Sequence, residues 1–240
     1  MMRTLFRYQF LGRFIRFANR LIVSTLTRKR LAFRKPNARL EKIGNEYGGW
    51  VIPVDRINER TICYCGGVGE DLSFDAGLIE RFDCFVFAFD PTPRSISFVE
   101  HNAPVGKFKF YPWGLWDEET ILKFFEPNDP SHVSHSVVNL QNTSDYFEAL
   151  CKPISKIAKE LGHKTIGLIK IDVEGAEFAV IRDIIRNEAV PEILCVEFDQ
   201  PCSPFGVYRA IRDLECCGLE LIAIDKWNFT FVRNLHEGKI

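Results

Sequence analysis

A chain of 240 residues is long enough for one well-buried domain with an appendage and short for two. Its 46% hydrophobic and 26% charged residues exclude global disorder. No stretch reaches the ~18 uncharged apolar residues of a membrane span. The net charge of −1 hides an asymmetry: residues 1–40 hold eleven Lys or Arg and no acid, which leaves 20 basic against 32 acidic side chains over residues 41–240. A basic arm (1–40) preceding an acidic domain (41–240) is therefore expected. The eight cysteines show no C-x-x-C spacing, and Cys63, Cys84 and Cys195 sit in apolar runs, so a reduced, cytoplasmic chain is expected rather than a disulfide framework.

Residues 8–23 carry a helical period, with Phe10, Phe14, Phe17 and Leu21 on one face and Arg13, Arg16 and Arg20 on another. The arginines interrupt every apolar stretch, unlike a signal peptide. The readings for this amphipathic segment are a helix packed on the body or a partly disordered arm, an interfacial helix peripheral to an anionic membrane, and a nucleic-acid arm or transit peptide. From residue 61 short apolar runs alternate with helical patterns. Strands are predicted over 61–65, 84–89, 107–113, 121–125, 136–140, 165–171, 192–198, 219–225 and 229–233. Helices are predicted over 73–82 with Ser73 as cap, over 92–101 behind Thr92-Pro93, over 153–161 stopping at Gly162, over 174–187, and from Ser203-Pro204 to Cys217-Gly218. The last two strands, three residues apart, read as an antiparallel hairpin. Repeated strand–helix–strand units imply a parallel sheet covered on both faces.

Three constellations carry chemistry. Cys65-Gly66-Gly67-Val68-Gly69-Glu70-Asp71 lies between a strand and a helix, where glycines let the backbone turn tightly and approach a ligand. It lacks the lysine of a phosphate loop and the full G-x-G-x-x-G spacing. Asp90 ends the next strand, 21 residues after Gly69, the interval at which nucleotide-binding folds place a ribose-binding acid. Glu70 and Asp71 would repel a pyrophosphate but suit S-adenosylmethionine, which carries a sulfonium and an ammonium. Finally, Leu168-Ile169-Lys170-Ile171-Asp172-Val173-Glu174-Gly175-Ala176-Glu177 delivers carboxylates to a strand tip and the following helix. Capping alone could account for Glu174 and Glu177.

"LIKIDVEGAE", "YCGGVGEDLSFD", "FAFDPTPRSI", "FYPWGLWD" and "EILCVEFD" together resemble the FkbM-type methyltransferases over roughly residues 60–235. The resemblance implies an α/β, Rossmann-like class I methyltransferase fold: a mostly parallel seven-stranded sheet, helices on both faces, and an antiparallel last strand. It implies S-adenosylmethionine as donor and a sugar or other hydroxylated metabolite as acceptor. Carried residue by residue, Gly67 and Gly69 approach the donor's methionine part, Asp90 its ribose, Trp113 or Gly114 its adenine, and Asp172 lies between donor and acceptor. The chain departs from the family at Cys65, where many members have an acid, and at Gly67-Val68-Gly69, where many have Gly-Ala-Asn. Glu70 and Asp71 are then the candidate partners of the ammonium. Asp172 is the first candidate base, with His132 and His135 in a loop of the right kind. A divalent cation on Asp172, Glu197 and Asp199 is the less favoured route, and no metal is expected. A non-catalytic nucleotide-binding domain and an RNA methyltransferase using the basic arm are the alternatives, with nucleic acid the less expected partner.

Overall fold

The computed structural model describes residues 38–125, 143, 145–198 and 202–234, together with Asn19, Ile22 and Thr25. Between 38 and 234 these residues form twelve strands and five α-helices. Seven strands make the main sheet: β3 (Ile62–Gly66), β4 (Phe85–Phe89), β5 (Phe108–Tyr111), β9 (Leu168–Ile171), β10 (Ile193–Glu197), β11 (Leu219–Asp225) and β12 (Asn228–Arg233). Their order is β11-β12-β10-β9-β3-β4-β5, with β12 antiparallel to both neighbours and the other six parallel. This is the expected Rossmann-like sheet with its antiparallel last strand. The order reverses between β3 and β9, and a crevice opens beyond the carboxyl ends of strands at such a point.

Alternation along each strand sorts side chains to two faces. Tyr64, Phe87, Ile169 and Leu194 face α3 (Ile154–Leu161), α4 (Glu177–Arg186) and α5 (Pro204–Cys216). Cys63, Cys65, Leu168 and Cys195 face α1 (Ser73–Phe82), and Ala88 faces α2 (Pro93–Asn102) through Val99. The buried thiols act as small apolar groups. The second face is completed by β1 (Leu40–Ile43) and β2 (Trp50–Pro53), an antiparallel hairpin that buries Trp50 and Ile52 and receives a hydrogen bond from the Thr230 hydroxyl at Val51 O (2.7 Å). The sequence reading missed these strands. Four residues on either side of a Gly-Gly turn leave little alternation to detect.

A second sheet, absent from the sequence reading, joins β6 (Gly114–Leu115), β7 (Thr120–Phe125) and β8 (Tyr146–Lys152) in the order β6-β8-β7. β8 falls where no strand was expected, and the strand predicted over 136–140 lies outside the described residues. Helix starts are corrected in two places. Ser73 does not cap α1; its N–H donates to Asp71 Oδ1 (2.7 Å). α4 begins at Glu177, not near 174, because Glu174 (φ +46°) and Gly175 (φ +99°) turn in the left-handed region first. Thr92 with Pro93 and Ser203 with Pro204 open α2 and α5 as predicted, and Gly162 and Gly218 take the expected left-handed φ. The amphipathic segment 8–23 lies outside the described residues except for Asn19 and Ile22, which are helical; Asn19 Nδ2 donates to Cys202 O (3.1 Å). No described helix is long and apolar enough to cross a membrane.

Candidate active site

β3 ends at Gly66, and the chain then doubles back over the tip of β9. Gly67 (φ +81°) lies so close to β9 that a Cβ would stand 1.7 Å from Asp172 O. Only glycine fits that conformation and that contact. Gly67 N donates to Phe89 O (2.9 Å) and Asp172 N to Gly66 O (3.2 Å), which extends both ladders into the loop.

Asp90, 6% exposed, sits at the centre of this loop. Its Oδ2 accepts from Val68 N (2.9 Å) and Gly69 N (3.0 Å), and its Oδ1 from Thr92 N (2.9 Å) and the Thr92 hydroxyl (2.7 Å). Two consecutive loop N–H groups form a concave anion site, and it is filled by the protein's own carboxylate. The loop therefore does not offer these groups to a phosphate. All four acceptor positions of Asp90 are engaged, so its role in the ligand-free molecule is to brace the loop.

Lys170 is the charged residue in an otherwise apolar buried strand. Its register opposite Cys65 and Cys195 sends it to the α1 face, where Nζ donates to Gly67 O (2.6 Å) and pairs with Asp172 Oδ2 (3.1 Å). Burial alone would pull the lysine pKa down, but the Asp172 and Asp75 carboxylates outweigh it and leave the pKa raised. Lys170 thus ties the glycine loop to Asp172. Asp75, in the first turn of α1, is 2% exposed, and its Oδ1 has no hydrogen-bond partner. Burial pushes its pKa up to about 6, against the opposing pull of Lys170 and Cys65. Neither residue was given a role from sequence. The signals were a lysine inside LIKI and an acid one helical turn past the glycine loop.

The other expected residues are placed as follows. Glu70 is drawn outward to Arg94 (2.9 and 3.2 Å). Asp71 accepts from Ser73 N and from Asn45 Nδ2 (both 2.7 Å); burial raises its pKa, but these hydrogen bonds prevail and leave it lowered. Gly114 stands on the cavity wall, packed against Cys151 and Phe124. Trp113 lies behind that wall, stacked on Tyr111 (4.6 Å) with Lys152 Nζ over its ring (4.1 Å). Glu177 Oε1 accepts from Gly175 N (2.8 Å), a bracing of the turn. His132, His135 and Asp199 lie outside the described residues, among which no metal-ligand cluster is present.

Gly67, Gly69, Glu70, Asp71, Asp90, Gly114 and Asp172 thus meet on one cavity of about 520 Å³ at the carboxyl ends of β3, β4 and β9. Beyond Asp172 it runs to Glu197, Asp225 and Asn228, and the β1–β2 turn closes it with Lys42, Glu46 and Tyr47. Nine carboxylates and three lysines line it among the described residues. Such a site suits a cationic ligand and an uncharged hydroxylated one, and disfavours a polyanion.

The Methyltransferase FkbM domain family matches residues 59–216. No curated protein matches the chain. Among solved structures, the chain is similar to a Methanococcus jannaschii fibrillarin pre-rRNA processing protein (12% identity, 86% of each chain, TM-score 0.43). It is also similar to an Aeropyrum pernix fibrillarin in complex with S-adenosyl-L-methionine (10% identity, 82% of this chain and 84% of that one, TM-score 0.41). A methyltransferase from Pyrococcus furiosus aligns at 10% identity over 92% of this chain and 98% of its own, with a TM-score of 0.39.

Proposed function

This chain belongs to the FkbM methyltransferase family and is an S-adenosylmethionine-dependent methyltransferase, and from that premise we propose that its acceptor is a hydroxyl of a sugar or similar small molecule. The observation that carries the acceptor class is the excess of carboxylates on the cavity. Carboxylate oxygens accept hydrogen bonds from hydroxyls, whereas they repel phosphates. The cavity also fits the donor: a turn without side chains at Gly67 and Gly69, acidic walls for a cation, and a buried carboxylate oxygen still lacking a partner.

When bound, the donor supplies an activated methyl group on a sulfonium. The protein's contribution is then alignment and proton removal. Asp172, 34% exposed at the strand tip, is the proposed acceptor of the hydroxyl proton, and Lys170 fixes its orientation from below. Gly67 and Gly69 let the donor's methionine part lie against the loop, and Asp90 holds that loop open for the ribose. Gly114 offers a flat wall for the adenine, a role that falls to it rather than to Trp113. His135 is retained as a proposed second base. Residues 41–240 are taken as the catalytic domain and 1–40 as an arm that meets an anionic partner.

Calorimetric titration with S-adenosylmethionine and with NAD tests the donor, and the expected result is saturable binding of the first alone. Transfer of a labelled methyl group to a panel of sugars and polyols, with RNA in parallel, tests the acceptor. The basic arm favours RNA as the second reading; label in RNA and none in the polyols would establish it over the first.

A further inference from the structure

Glu70 and Asp71, the carboxylates that the sequence offers to the donor's ammonium, are both committed within the protein. Glu70 grips Arg94 at the surface, and Asp71 holds the start of α1 and the Asn45 side chain. Among the described residues, the cavity acid with an oxygen that still lacks a partner is Asp75, at Oδ1. We propose that Asp75 receives the α-ammonium at the amino-acid end of the methyl donor, an assignment that rests on the S-adenosylmethionine reading above.

Four observations carry it. Asp75 lines the cavity beside the glycine turn, in the first turn of the helix that follows it. It is 2% exposed, and Oδ1 is buried without a donor, so the ligand-free protein bears a cost that a bound cation removes. The charged and titratable groups facing it are Lys170 from β9, Cys65 from β3 and Asp71 from the loop. Lys170 Nζ turns to Gly67 O and Asp172 and gives no hydrogen bond to Asp75 Oδ1, and Lys42 of the β1 hairpin pairs instead with Glu46 and Asp225. A cation entering along the loop thus meets one incompletely satisfied carboxylate at the floor. The position also answers the loss of the acid at Cys65. On β3 that residue faces α1, and Asp75 reaches the same spot from the helix side.

The experiment compares S-adenosylhomocysteine with 5′-methylthioadenosine, which lacks the amino-acid end, on the full chain and its Asp75→Asn variant. Calorimetry should show S-adenosylhomocysteine bound roughly 10- to 100-fold more weakly by the variant, the range for a hydrogen bond to a charged group, with methylthioadenosine unchanged. The ligand-free variant should melt no lower than the wild type. At pH 6, binding of S-adenosylhomocysteine to the wild type should release protons, seen as a heat that varies with the buffer's ionisation enthalpy, and the variant should release none. Equal losses for both ligands, or no loss for either, overturn the assignment. If the Asn variant does not fold, the wild-type measurement decides, and absence of proton release at pH 6 overturns it. If the wild type binds methylthioadenosine and S-adenosylhomocysteine equally well, Asp75 is not the ammonium partner although the donor reading stands. If the wild type binds neither S-adenosylmethionine nor either analogue, the donor reading itself fails and the assignment falls with it.

Discussion

At position 67 the choice of residue is closed by geometry. A methyl group there would overlap Asp172 O at 1.7 Å in a backbone conformation of φ +81°. Gly67→Ala should destabilise by about 2 kcal/mol or more, because both the loop and the β9 tip would have to move. A fall in melting temperature together with loss of donor binding checks it. Asp172→Ala should abolish turnover with the fold retained, and near-normal turnover would exclude Asp172 as the base. Asp90→Ala should weaken donor binding by ~1–3 kcal/mol and should also lower the melting temperature, because four internal hydrogen bonds are lost. A ribose contact without bracing would move only the affinity. Asp75 makes a pH prediction of unusual sign. Its folded pKa of about 6 lies above the unfolded value of 3.8, so the folded chain holds a proton that the unfolded chain has released. That contribution is full below about pH 4 and is lost as pH rises through 6, on the order of 3 kcal/mol. Thermal melts of the ligand-free protein between pH 4.5 and 7 should show this decline, and Asp75→Asn should flatten it. Sequence could point to Asp90 and Asp172 because strand ends and intervals are one-dimensional features. That Asp90 faces inward to its own loop, and that Asp75 and Lys170 lie close beneath it, depends on which side of the sheet each side chain takes.

Among the elements, the strands of the main sheet and the five helices were legible because buried parallel strands and capped helices leave long uniform patterns. The strand over 121–125 was read too and is β7, but the hairpin β1–β2 and strands β6 and β8 were not, since they are short, half exposed or parted by turns. Yet these elements close the cavity, with Tyr47 on one side and Leu115 and Phe124 on the other. The hairpin's hold on the sheet comes chiefly from Trp50, 1% exposed beside Ile52 at 0%. Trp50→Ala should cost about 3–5 kcal/mol, read from denaturant unfolding. Thr92 links two elements, since it caps α2 at Ser95 N and donates to Asp90. Its replacement by Ala should cost about 1 kcal/mol of stability from the cap and also slacken the glycine loop.

Over the whole molecule the chain divides by charge, eleven basic residues in 1–40 against an excess of acids in 41–240. If the arm engages an anionic surface, replacing Arg28, Lys29 and Arg30 by Gln should reduce sedimentation with anionic vesicles, the more so at low salt, and leave donor affinity unchanged. An unaltered supernatant would dispose of that role.

The hairpin also bears on how the chain is made. Val51 accepts from Thr230, 179 positions later, and Arg56 pairs with Glu192. Trp50 and Ile52 leave the ribosome long before β10, β11 and β12, the strands that β2 packs against. Until those strands emerge this apolar surface has no lasting place to go, so the nascent chain is adhesive over that interval. A holding chaperone is most useful over that interval.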